Sequence, residues 1–192
     1  MKAQDTLARV VSNVAAPPVL AVVGAILLAA HTAEKGDWRW ALLFGLTAVL
    51  LPSLYVAIEV YRGNISDIHV PLREERMRPG LVTVATALVV YGIFTWWPAP
   101  PYFRMLALAY GLQAILFFLI TLRWKISLHS AAAGSLTVLG ITVFSGSGLL
   151  FALTVPVIAW SRVRLERHTT AQTVTGAFLG ATVVLVSLLV VG

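Results

Sequence analysis

The chain alternates long apolar runs with short polar ones. Val10 to Ala30 carries no formal charge, and neither do Trp40 to Ile58, Gly80 to Trp97, Met105 to Leu122 or Thr173 to Val191. Each approaches the roughly 20 apolar residues that a transmembrane helix needs. Ile126 to Ser161 is also uncharged, over 36 residues. As one straight helix it would be roughly 54 Å long at about 1.5 Å per residue, too long for a hydrocarbon core of about 30 Å. It has to fold back, and Ser145-Gly146-Ser147-Gly148 is its turn-forming segment. The pattern predicts an all-α, polytopic membrane bundle of six to seven transmembrane helices, one domain over residues 1–192. Asp5 precedes the first run and further spans follow it, so it reads as a retained helix and not a cleaved signal.

Composition narrows the classes. Hydrophobic residues make up 59% and charged residues 11%, with a mean hydropathy of +0.88. Soluble domains carry about 25% charged residues, so too little polar surface exists here to cover a soluble globule. The apolar content also excludes a disordered chain. The absence of cysteine excludes a disulfide scaffold, zinc–thiolate sites and cysteine nucleophiles.

The net charge is +6, with a pI near 10.2, and its placement is informative. With seven spans, Lys2, Arg9, Arg62, Arg73, Arg76, Arg78, Arg123, Lys125, Arg162, Arg164 and Arg167 fall on one side, and Lys35, Arg39 and Arg104 on the other. The positive-inside rule makes the basic side cytoplasmic in a multi-pass plasma-membrane protein. Setting aside Arg73, Arg76, Arg78, Lys125 and Arg162 as candidate anion ligands leaves six against three, with the same sign.

Three polar clusters lie on that side. The first runs from Asp67 through His69, Arg73, Arg76 and Arg78 to Pro79. The second is Arg123-Trp124-Lys125-Ile126-Ser127-Leu128-His129, followed by small residues from Ser130 to Ser135. The third is Ser161-Arg162, then Arg164, Glu166, Arg167, His168 and Gln172, with Gly176 and Gly180 behind. Two spans separate the first cluster from the second, and two the second from the third, so all return to one face. Simpler readings exist for each: arginines as lipid-headgroup anchors, Ser127 as a helix N-cap, the glycines as close helix packing. Gathered together, arginines bind phosphate bidentately. One histidine can attack phosphorus while a second protonates the leaving oxygen. Few carboxylates are present, which suits metal-independent chemistry better than a magnesium site.

These residues resemble the type-2 phosphatidic acid phosphatase superfamily. Ser161-Arg162, five residues and then His168 is similar to its third motif, S-R-x5-H-x3-D. Ser127-Leu128-His129 resembles its second motif, P-S-G-H. Arg78-Pro79 resembles the end of its first, K-x6-R-P. The resemblance covers about Arg73 to Gly180, and the motif-bearing core about residues 62–192. It implies a family-like core in which His168 is the nucleophile, forming a phosphohistidine, and His129 the general acid. Arg78, Arg162 and Ser127 would hold the phosphoryl oxygens, with Arg73, Arg76 and Lys125 as nearby cations. It implies a membrane hydrolase of lipid phosphates or diphosphates, polyprenyl or phosphatidate in type, that needs no cofactor. Expected partners are the lipid-phosphate substrate, membrane lipids and a homo-oligomer or membrane complex, not nucleic acid.

The chain departs from the family pattern in each motif. Pro71 stands where the first motif has lysine, Ile126 and Leu128 replace proline and glycine, and Gln172 replaces aspartate. A carboxylate at that last position would orient the nucleophilic imidazole and stabilise its cation. Gln172 can accept the hydrogen bond without the charge, and Asp67 and Glu166 are the other carboxylates at hand. A catalytically inactive relative, serving as a structural or lipid-binding subunit, is the second reading. A faint likeness of Asn64, Asp67 and Arg78-Pro79 to intramembrane aromatic prenyltransferases lacks the second D-x3-D cluster.

Overall fold

The computed structural model describes residues 3–32, 37–68, 70, 72, 74–97 and 99–191. Lys2, Lys35, His69, Pro71 and Arg73 lie outside the described residues. Among those described, every regular element is helical. In order they are α1 (Ala3–Val14), α2 (Pro17–Thr32), α3 (Asp37–Phe44), a π-helical stretch (Gly45–Leu50) and α4 (Leu51–Tyr61). There follow a 3-10 turn (Glu74–Arg76), α5 (Met77–Trp96), α6 (Pro101–Thr121) and α7 (Leu128–Phe144). A 3-10 segment (Ser145–Leu153), α8 (Thr154–Arg164) and α9 (Thr170–Val191) complete the chain.

Among the described residues, five continuous helical segments are long and apolar enough to cross a membrane, or six if the bent pair α1–α2 is one span, against the six to seven expected. The first span expected at Val10 to Ala30 is therefore not a single straight helix. α1 and α2 meet at a 50° bend. Pro17 and Pro18 have no backbone N–H to continue the ladder, and a proline ring clashes with the preceding turn, yet proline is well placed at the start of a helix.

The segment Leu128–Arg164, 37 residues long, reverses within itself. Ser145 has φ of 53°, and the 3-10 segment after it packs back on α7. A Cβ added to Gly148 would sit 2.1 Å from the Gly140 carbonyl oxygen, and one added to Gly140 would strike the Phe151 ring at 2.4 Å. Only hydrogen at these two positions allows the two arms to touch. α8 then returns beside α7, bringing both polar ends to one face.

A second irregularity sits at Pro52. This residue cannot donate to the carbonyl of Ala48, and the hydroxyl of Tyr110 on α6 donates to that oxygen instead. The π-helical stretch lies immediately before it, as is common where a helix ladder is interrupted.

The core is made by Leu28, Phe44, Val90, Phe94 and Phe103, all essentially inaccessible. Trp40 meets Phe94 edge-on at 5.1 Å, and Phe44 meets Tyr110 at 5.5 Å. The outer surface is apolar too: on α9, Phe178, Leu185 and Leu189 are 73%, 51% and 77% exposed. Water would penalise such a face, and hydrocarbon would not.

The α7–α9 seam positions the site. Cβ atoms added at Gly134, Gly176 and Gly180 would lie 2.0, 2.5 and 2.1 Å from the backbone oxygens of Ala177, Ser127 and Ala131. Small residues let these two backbones touch. The Ser135 hydroxyl donates across the seam to the Gly180 carbonyl at 3.1 Å.

Candidate functional site

The third cluster is shaped by how α8 ends. The carbonyl of Arg162 accepts the backbone N–H groups of Arg167 at 3.0 Å and His168 at 3.3 Å. Glu166, with φ of 54°, supplies the left-handed residue that such a helix end needs. This tight return places His168 beside Arg162, although five residues intervene. The backbone N–H of Ser127 donates to the Gln172 carbonyl at 3.3 Å, tying the start of α7 to the start of α9.

His168 is 8% exposed and its Nδ1 lies 3.1 Å from Gln172 Oε1. The same oxygen accepts the backbone N–H of Thr169 at 3.2 Å, so it is fixed as an acceptor. Nδ1 must then carry the proton, which leaves the Nε2 lone pair free to act. Burial, and next the Arg162 cation, push the His168 pKa down to about 4, with Arg76 and Lys125 acting the same way and the Gln172 hydrogen bond opposing. The imidazole is therefore neutral at physiological pH.

Arg162 is 5% exposed. One terminal nitrogen donates to the Ser12 hydroxyl at 2.5 Å, while its Nε has no hydrogen-bond partner among the described residues. His129, 6% exposed, places Nε2 at 3.2 Å from the Ser12 carbonyl oxygen. A carbonyl can only accept, so in this contact Nε2 carries a proton. Ser12, on α1, thus bridges two candidate residues of the second and third clusters. Nothing in the apolar pattern singled it out, because a lone serine 150 positions from Arg162 carries no signal in sequence.

The first cluster contributes Arg76. Its Nε donates to the Val70 carbonyl at 2.9 Å. Glu75 accepts from the Ser66 backbone N–H at 3.1 Å and the Ser66 hydroxyl at 2.9 Å, which pins the turn beneath it. Val70, with φ of 42°, is held in a region that β-branched residues avoid. Arg78, one position past the start of α5, is exposed. The two arginines are thus separated by orientation, and Arg76 is the one that lines the cavity described below.

The remaining candidates are distributed as follows. Ser127 is fully buried and N-caps α7, its hydroxyl accepting the Ser130 N–H at 3.4 Å. Its oxygen therefore serves the helix end, as its alternative reading proposes. Lys125 is half-buried; burial lowers its proton affinity first, and Arg76, Arg167 and Arg162 lower it further. Glu166 is exposed, and Asp67 is half-buried in the loop before α5, its carbonyl taken by the Val70 N–H at 2.8 Å. Gln172 is the residue bonded to His168. Among the described residues, no three histidine, aspartate or glutamate side chains gather as metal ligands.

Arg76, His129, Arg162 and His168 share the wall of a cavity of about 550 Å³. The rest of its lining is largely apolar and reaches Phe44, Leu106 and Val184 in the core. A polar, cationic end and a long apolar body are what an amphiphile with an anionic head requires. Comparison with protein-family models, with curated proteins and with solved structures gives no match to this chain.

Proposed function

We propose that this protein is an integral membrane phosphatase that hydrolyses a lipid phosphate or diphosphate through a phosphohistidine. The observation that supports it best is the shared cavity wall. A neutral imidazole with its Nε2 lone pair available, a buried guanidinium whose Nε has no hydrogen-bond partner among the described residues, and a second arginine line one largely apolar cavity.

In this mechanism the phosphate head enters among Arg76 and Arg162, and its tail occupies the apolar cavity. The Nε2 lone pair of His168 attacks phosphorus. The N–P bond forms as the P–O bond to the lipid breaks, and the leaving oxygen takes a proton from His129. The guanidinium groups stabilise the charge on the equatorial oxygens. A water molecule then attacks phosphorus, giving its proton back to His129. The N–P bond breaks and inorganic phosphate leaves. Gln172 holds His168 in the tautomer that presents Nε2.

Purified protein is expected to release phosphate from phosphatidate or polyprenyl (di)phosphate in the presence of EDTA. His168→Ala and His129→Ala should abolish it, and wild-type turnover in His168→Ala contradicts the mechanism.

The neutral Gln172 favours a second reading, a non-catalytic lipid-binding subunit, because the imidazolium formed on phosphoryl transfer has no carboxylate at this contact to stabilise it. It predicts stable co-purification with membrane partners and no turnover across lipid phosphates.

A further inference from the structure

Two of the polar groups on the cavity wall, Arg162 and His129, are already engaged by Ser12 of α1. Ser12 offers two oxygens there. Its hydroxyl accepts from Arg162, and its carbonyl accepts from His129 Nε2. These are two of the groups that the phosphatase reading assigns to a phosphoryl group, and a phosphate would present two oxygens to them in the same way. Ser12 is 3% exposed, so both contacts are made out of water, where charged hydrogen bonds are strong.

α1 packs on α8 along a narrow face. It is joined to α2 at the 50° bend before Pro17, and Ala16, Pro17 and Pro18 line the cavity. Its buried face is narrow: only Ala8 and Ser12 are buried. One ion pair, Asp5 with Arg164 on α8 at 2.8 Å, closes its far end, and both side chains are about a third exposed. Leu7, Val10 and Val14 are 55%, 52% and 67% exposed, and their spacing places them along one outward stripe. A helix with such an apolar stripe has a bilayer surface to rest on when it leaves the protein.

We propose that α1 is a lid in which Ser12 holds the place of the phosphate, and that a phosphate-bearing ligand binds only after α1 swings away about Ala15–Ala16. The proposal rests on the anion-site reading above. It goes beyond that reading by making binding conditional on an element outside the three clusters.

The chain contains no cysteine, so two introduced thiols can be addressed alone. Asp5→Cys with Arg164→Cys, in the full chain in nanodiscs, is bridged by a short bis-methanethiosulfonate reagent that reductant releases. Binding of inorganic phosphate is then measured on the same molecules before and after release, with each single cysteine variant as control. The bridged form should bind at least about tenfold more weakly, and release should restore binding. Ser12→Ala, which removes one of the two oxygens, should tighten phosphate binding by about tenfold.

Equal binding in the bridged and released states overturns the lid and leaves the anion site standing. Weaker binding in Ser12→Ala also overturns it, since Ser12 would then be part of the site. Phosphate binding by neither state, or binding that Arg162→Ala does not diminish, overturns the anion-site reading and the lid with it.

Discussion

His168 donates its Nδ1 proton to Gln172 Oε1 across 3.1 Å, one helical turn apart at the start of α9. The amide does the orienting that a carboxylate would do, without the charge. Gln172→Glu keeps the shape and adds that charge. It should raise the proton affinity of His168 and increase phosphate release. Gln172→Leu leaves Nδ1 without its acceptor and frees the other tautomer. Turnover should fall by about 10²- to 10⁴-fold, the scale seen when a catalytic histidine loses tautomer control. Phosphate release by the two variants, with histidine NMR to read the tautomer, checks both directions.

The His168 pKa near 4 gives a titration prediction. Burial is its main cause and Arg162 the next. The ordinary value is about 6.5, so as pH falls the unfolded chain takes the proton first. The associated stability is fully present above about pH 6.5 and is lost as pH falls toward 4. NMR titration of labelled histidine should place the His168 midpoint well below that of exposed histidines. Arg162→Met should move it upward. A wild-type midpoint near 6.5 would show that His168 is neither buried nor beside these cations.

Arg76 and Arg78 are two residues apart but face differently, one toward the cavity and one toward the outside. Arg76→Ala should lower phosphate release by at least about tenfold, the scale of a lost charge-assisted hydrogen bond. Arg78→Ala should have a clearly smaller effect. The opposite ranking would return the role to the position that the sequence resemblance indicates.

The α7–α9 seam predicts a stability contrast. Gly134→Ala and Gly180→Ala each push a Cβ into a backbone oxygen, 2.0 and 2.1 Å away. Each should destabilise by about 1–3 kcal/mol and lower the melting temperature in detergent. Gly92 on α5 has nothing within 4 Å of an added Cβ. Gly92→Ala should be neutral or stabilising by up to about 1 kcal/mol.

Much of this architecture is legible in the apolar pattern, because hydrocarbon imposes a length on every span. The run from Ile126 to Ser161 is too long to be straight, and the chain does reverse from Ser145. The reversal from Ser145 brings the start of α7 and the end of α8 back together, so Arg76, His129, Arg162 and His168 share one cavity wall. The break before Pro17 is less legible, since the run from Val10 is uninterrupted in polarity and only the two prolines mark it. The separation of Arg76 from Arg78 depends on the turn that Glu75 and Val70 fix, and spacing alone does not encode it. Ser12 is invisible for a different reason. Its importance comes from a contact across 117 residues to His129, and neither its type nor its neighbours signal that.

The most direct measurement is a quenched single turnover with lipid phosphate carrying a labelled phosphoryl group, followed by mapping of the label in the protein. Label on the peptide containing His168, absent in His168→Ala and formed in the presence of EDTA, is the predicted result. Phosphate release without any label on His168, or labelling that survives His168→Ala, would contradict the account.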